Sequence, residues 1–161
     1  MKKLLCLLLI ALTLLLTGCQ ERASPAEYLS AFSSAYPMPP GRYYDSEAGE
    51  ESDAYLPPAV FDALFVRSPG DDDREDLGRF ALFLGTSLDE VYEMGIFECP
   101  DRDCAREVMG CLETRLALLR REERADAGAA KDANLLLFGR TVVYTVLPDN
   151  AKAARILERL F

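Results

Sequence analysis

The chain contains neither histidine nor tryptophan. Without histidine it lacks the commonest general base at neutral pH and the commonest transition-metal ligand. A serine or cysteine nucleophile would have no imidazole to activate it. Ser87 follows Gly85-Thr86 without the Gly-x-Ser-x-Gly elbow, and no glycine-rich phosphate loop is present. Basic residues are in deficit as well, 18 against 27 acidic, for a net charge of −9. Such a chain is repelled by nucleic-acid phosphates and by anionic lipid headgroups. The expectation is a protein that is not an enzyme, with no catalytic residues, no cofactor, no resident metal and no nucleic-acid partner.

What the sequence has instead begins at its N-terminus. Lys2 and Lys3 form a positive start, Leu4 to Leu16 is apolar apart from Thr13, and Leu16-Thr17-Gly18-Cys19 places small residues before a cysteine. About thirteen residues of helix span only ~20 Å, short of the ~30 Å hydrocarbon core, which argues for a cleaved signal over a permanent span. Leu-Thr-Gly-Cys resembles the lipobox of bacterial lipoproteins at all four positions. That resemblance implies cleavage before Cys19 and a diacylglyceryl group on its thiol, with two acyl chains giving stable anchoring. The expected site is therefore the extracytoplasmic face of the cell membrane, reached through the lipid on Cys19. Residues 19–161 carry 16 basic against 27 acidic residues, a net charge of −11, so the domain should stand off the bilayer.

Three cysteines remain, Cys99, Cys104 and Cys111, an odd number that permits one internal bond at most. Cys104 and Cys111 are seven residues apart on an expected helix, about 10.5 Å between Cα atoms, beyond the ~7 Å that a disulfide spans. Two alternatives stay open: a Cys99–Cys104 bond, or free thiols acting as small apolar residues. Their spacing, Cys-x4-Cys-x6-Cys without histidine, matches no usual zinc site. The acidic run Asp71 to Asp76 lacks the glycine and terminal glutamate of a calcium-binding loop and reads as solvated.

Ser24-Pro25-Ala26-Glu27 combines an N-cap serine, a proline at the first helical position and a glutamate three residues after the cap. A helix is expected from there to about Tyr36, stopped by Pro37. From Pro37 to Pro58 the chain holds five prolines and five acidic residues interleaved with Tyr43, Tyr44 and Tyr55, and reads as irregular. Val60, Phe61, Leu64 and Phe65 share a face of a second short helix. Phe80 to Leu84 is apolar on both faces, as in a central strand, and Val91 to Cys99 completes a hairpin. A long helix from Pro100 to about Asp126 has an apolar stripe of Cys104, Val108, Cys111, Leu112, Leu116 and Leu119. Gly128 marks its exit. Leu135 to Phe138 and Thr141 to Leu147 form a second hairpin about Gly139-Arg140, and Asp149 caps a last helix with Ala153, Ile156, Leu157 and Leu160 inward.

The pattern is ββαββα after an N-terminal helical and irregular segment. It predicts an α+β two-layer sandwich, an antiparallel sheet of two hairpins with helices packed on one face. The corresponding divisions are a signal peptide (1–18), a lipidated tether with the short helix and irregular segment (19–58), and a single α+β domain (59–161).

Over roughly Tyr55 to Phe161, the succession Tyr55-Leu56-Pro57, Val91-Tyr92-Glu93-Met94-Gly95-Ile96-Phe97, the long Arg-bearing helix, Gly139-Arg140-Thr141-Val142-Val143-Tyr144 and the closing helix resembles small Gram-positive lipoproteins catalogued as domain-of-unknown-function family 4358. The resemblance implies a lipobox protein without an assigned activity. This chain differs from that pattern by its three mature cysteines and its tyrosine-rich insert.

Glu93 and Glu98 lie at odd separation on one expected strand, so they point to opposite faces and do not form an acid/base pair. Tyrosines offer rigid amphipathic area of the kind favoured at binding surfaces. Tyr43 and Tyr44 are accordingly the candidate binding residues, and the expected function is a lipid-anchored, non-catalytic module for an envelope protein or small ligand. The alternative is an envelope hydrolase working with carboxylates alone.

Overall fold

A computed structural model describes residues 22–65, 78–87, 91–121 and 127–161. Helix α1 (Pro25–Ala35) starts as its sequence dictates: the Ser24 hydroxyl accepts the Glu27 N–H, and the Glu27 carboxylate accepts the Ser24 N–H at 2.7 Å. This reciprocal capping box satisfies two of the amide donors that a helix leaves open at its start. Strand β1 (Gly41–Asp45) follows, then α2 (Pro58–Phe65), β2 (Arg79–Gly85), β3 (Glu93–Glu98), α3 (Arg102–Arg121), the short α4 (Ala127–Lys131), β4 (Asn134–Phe138), β5 (Thr141–Val146) and α5 (Asn150–Leu160). Asp149 caps α5, its carboxylate accepting the Lys152 N–H at 2.8 Å.

The five strands form one antiparallel sheet in the order β1-β2-β3-β5-β4. Both expected hairpins are present, and β3 pairs with β5 to join them. Gly139 turns the second hairpin with φ of 66°, a left-handed conformation that other residues rarely adopt. Gly95, in the central strand, leaves room for a neighbour: a Cβ there would collide with the Tyr144 ring.

The α+β class and the antiparallel sheet agree with the sequence reading, whereas the layering corrects it. Alternate side chains of the inner strands face opposite ways. Phe80, Leu82, Phe97, Val142 and Tyr144 turn to one face, covered by Phe61 and Phe65 of α2 and by Val108, Leu112 and Leu116 of α3. Ala81, Phe83, Met94, Ile96 and Val143 turn to the other, covered by Leu29 and Phe32 of α1 and by Ala153, Ile156 and Leu157 of α5. Helices therefore cover both faces, and the sandwich has three layers. α1 and α5 run antiparallel: Tyr28 stacks on Phe161 at one end, and at the other the Asp149 N–H donates to the Tyr36 hydroxyl at 2.9 Å.

Three further expectations change. The Pro37–Pro58 stretch is not irregular throughout, because Gly41–Asp45 adds a fifth strand alongside β2. Leu29, Phe32 and Tyr36 are fully buried with strand residues, so the packed unit reaches back to α1, well before residue 59. Gly128 lies within α4 and does not mark the exit of the long helix.

Candidate functional site

β1 is an edge strand, and its register determines which backbone groups are free to pair. Its partners run from Gly41↔Gly85 to Asp45↔Ala81. The Thr86 N–H donates to the Pro40 carbonyl at 3.1 Å, and the Ser46 N–H to the Phe80 carbonyl at 2.9 Å. Antiparallel hydrogen bonding alternates, so Arg42 and Tyr44 face β2, whereas Gly41, Tyr43 and Asp45 point their N–H and C=O groups outward. The Asp45 N–H is taken by the Ala54 carbonyl at 2.9 Å. The loop after β1 thus folds back over that end of the edge.

Beside this edge lies a groove of about 340 Å³ between β1 and α1. Ala26, Leu29, Ser30 and Ser33 of α1 form one wall, Tyr43, Tyr44 and Asp45 the other, and Ala81 lies at its base. Tyr43 leans on Phe83 with ring centroids 5.2 Å apart, yet remains 42% exposed. Tyr44 does something different. Neighbouring residues of a strand point to opposite faces, and the Tyr44 side chain packs into the α3 side of the core. The structure therefore separates the two candidate residues: Tyr43 offers its ring to the groove, whereas Tyr44 reaches it through its backbone.

The carboxylates of β3 are committed to arginines. Glu93 is buried and makes a two-pronged pair with Arg115 of α3, at 2.5 Å to Nη2 and 3.2 Å to Nε. The Tyr144 hydroxyl donates to the same carboxylate at 3.3 Å. Burial, reinforced by the neighbouring Glu93 charge, raises the Tyr144 phenol well above its ordinary value. Glu98 pairs with Arg79 at 2.6 Å.

A polar crevice of about 760 Å³ opens at the end of the sheet where β4 begins, lined by Tyr92, Asp132, Asn134, Asp149 and Asn150 among others. Its amides already have partners. Asn150 Oδ1 accepts from the Thr145 hydroxyl and the Leu147 N–H, Asn150 Nδ2 donates to the Ala129 carbonyl, and Asn134 Nδ2 donates to Thr145 Oγ1 and the Asn150 carbonyl. This network ties α4, β4, β5 and α5 together.

Cys99 and Cys104 are buried thiols and Cys111 is a half-buried one. Among the described residues no three Cys, Asp or Glu side chains converge as a metal site. The signal and Cys19 lie outside the described residues, as does the acidic run Asp71 to Asp76.

Sequence reasoning missed the Glu93–Arg115–Tyr144 cluster and the groove. The first had a signal: Arg115 sits three residues after Leu112 and four before Leu119, on the apolar stripe of α3, where a charge needs a buried partner. The groove had none, because it depends on α1 and β1 meeting across residues with no shared pattern. No family model matches the chain, nor does any curated protein or solved structure.

Proposed function

We propose that this chain is a lipid-anchored extracytoplasmic lipoprotein, held at the cell membrane through Cys19, and that it binds an extended polypeptide segment of an envelope protein along the outer edge of β1. One observation carries the reading: Tyr43, whose backbone groups point outward from the edge, lines the α1–β1 groove, and Gly41 lies two residues along the same edge. Main-chain pairing with such an edge supplies affinity, and a neighbouring pocket selects among side chains of the added strand. A volume of about 340 Å³ is near the lower end of ligand sites and suits one or two side chains. Among the described residues no helix is long and apolar enough to cross a membrane, and the lipid on Cys19 supplies the attachment. The likeness to small Gram-positive lipoproteins belongs to the same reading and assigns no activity.

The test uses proline. Tyr43→Pro removes an outward donor and leaves the ladder to β2, which runs through Arg42 and Tyr44. Leu137→Pro is the matching change on the opposite edge, where Leu135 and Leu137 face outward. After crosslinking in native membranes, a partner recovered with the parent and with Leu137→Pro should be lost with Tyr43→Pro. Equal recovery from both variants would sink the proposal. The hydrolase alternative would draw on Asp132 and Asp149 in the polar crevice, although Asp149 is engaged as the cap of α5. It predicts that Asp132→Asn abolishes hydrolysis of envelope glycan.

A further inference from the structure

Cys99 follows the last residue of β3, and Cys104 lies in the first turn of α3. Both are buried, at 1% and 8% exposure, in the same core cluster beneath α2 and α3. The short connection between them is held at several points. The Cys99 N–H donates to the Arg140 carbonyl at 3.0 Å, and the Arg140 guanidinium returns a hydrogen bond to the Pro100 carbonyl. Asp101 Oδ1 accepts both the Asp103 and Cys104 N–H groups at 2.9 Å, fixing the start of α3. The fold thus places both cysteines in one buried cluster and fixes the backbone between them, leaving little further ordering for a covalent link to impose. Cys111 lies two helical turns beyond Cys104 and is half-buried.

We infer that Cys99 and Cys104 are a disulfide-forming pair that staples the end of β3 to the start of α3, with Cys111 left as a thiol. The oxidant is a disulfide, carried by a small molecule or by an oxidoreductase in its oxidised form. One cysteine, as thiolate, attacks a sulfur of that disulfide and releases a thiol. The second cysteine then attacks the mixed disulfide and releases the other thiol. The chain loses two electrons and two protons, and the oxidant is reduced to two thiols. Burial holds the Cys99 thiol protonated in the finished fold, so exchange takes place while the chain is still folding.

The full chain in detergent, refolded from denaturant with a mixture of oxidised and reduced glutathione, supplies the test. After quenching, unfolding and alkylation, peptide mapping should find Cys111 labelled and Cys99 linked to Cys104. Reduction should then lower the Tm by ~5 °C. The Cys111→Ser variant should keep the Cys99–Cys104 bond and the Tm response, and a Cys99→Ala/Cys104→Ala variant should show no Tm response to reductant. Alkylation of all three cysteines, or a bond that includes Cys111, would overturn the inference. The labelling is read residue by residue, so the state of Cys6 and Cys19, which reports on the lipoprotein proposal, is scored separately.

Discussion

The two faces of the sheet are closed by different means. On the α3 face a long helix covers Phe80, Leu82, Phe97 and Tyr144, and a buried Glu93–Arg115 pair fixes where the helix sits along the strands. On the α1 face two shorter antiparallel helices close over an apolar surface, and the margin over β1 is left as a groove. A buried ion pair is costly unless its geometry is right, so it specifies one register of helix on sheet. An apolar contact imposes no such condition. The α3 face is thus the more sharply specified of the two, and the groove on which the proposed binding site rests lies on the other.

The largest effect should come from breaking the lock. Arg115→Met leaves Glu93 buried and uncompensated, and should cost about 3–5 kcal/mol in urea unfolding. A loss below about 1 kcal/mol would show that the pair contributes little to closing this face. On the other face Phe32→Ala should cost about 3 kcal/mol, because a fully buried ring leaves a cavity. A near-neutral result would mean that α1 is a tether and no part of the core.

An alkaline titration probes the α3 face through Tyr144. The folded protein favours the neutral phenol of Tyr144, whose pKa is raised by burial and by Glu93. Its contribution is therefore intact below the ordinary tyrosine value near 10 and is lost as pH rises above it, by about 1.4 kcal/mol per pH unit while only the unfolded chain ionises. Tyr144→Phe should be less sensitive than the parent between pH 9 and 11. Identical pH slopes would contradict the buried assignment. The smallest effect is local: Ser24→Ala removes one half of the capping box and should cost about 1 kcal/mol, measured by thermal unfolding.

Much of this architecture was legible in the sequence, for identifiable reasons. The capping box at Ser24 and Glu27, the turn at Gly139-Arg140 and the stripe from Cys104 to Leu119 are local signals, each satisfied within a few residues. The second helical layer was announced less directly. A strand such as Phe80 to Leu84, apolar at every position, must be covered on both faces, and the one-faced sandwich leaves half of it to water. β1 escaped notice because an edge strand needs no alternation: in Gly-Arg-Tyr-Tyr-Asp every residue is at least partly exposed, and the surrounding prolines suggest a loop. The candidate site was half visible. Tyr43 could be singled out by residue type, but only the register of β1 shows that Tyr44 turns into the core and that the backbone at Gly41 and Tyr43 is turned outward.

Amide hydrogen exchange along β1, resolved residue by residue, addresses the open edge most directly. Arg42 and Tyr44, bonded to β2, should be strongly protected, whereas Gly41 and Tyr43 should exchange close to the rate of an unstructured chain. Protection of the Tyr43 amide equal to that of Tyr44 in the isolated protein would mean that the edge is already covered, and would contradict a binding role for β1.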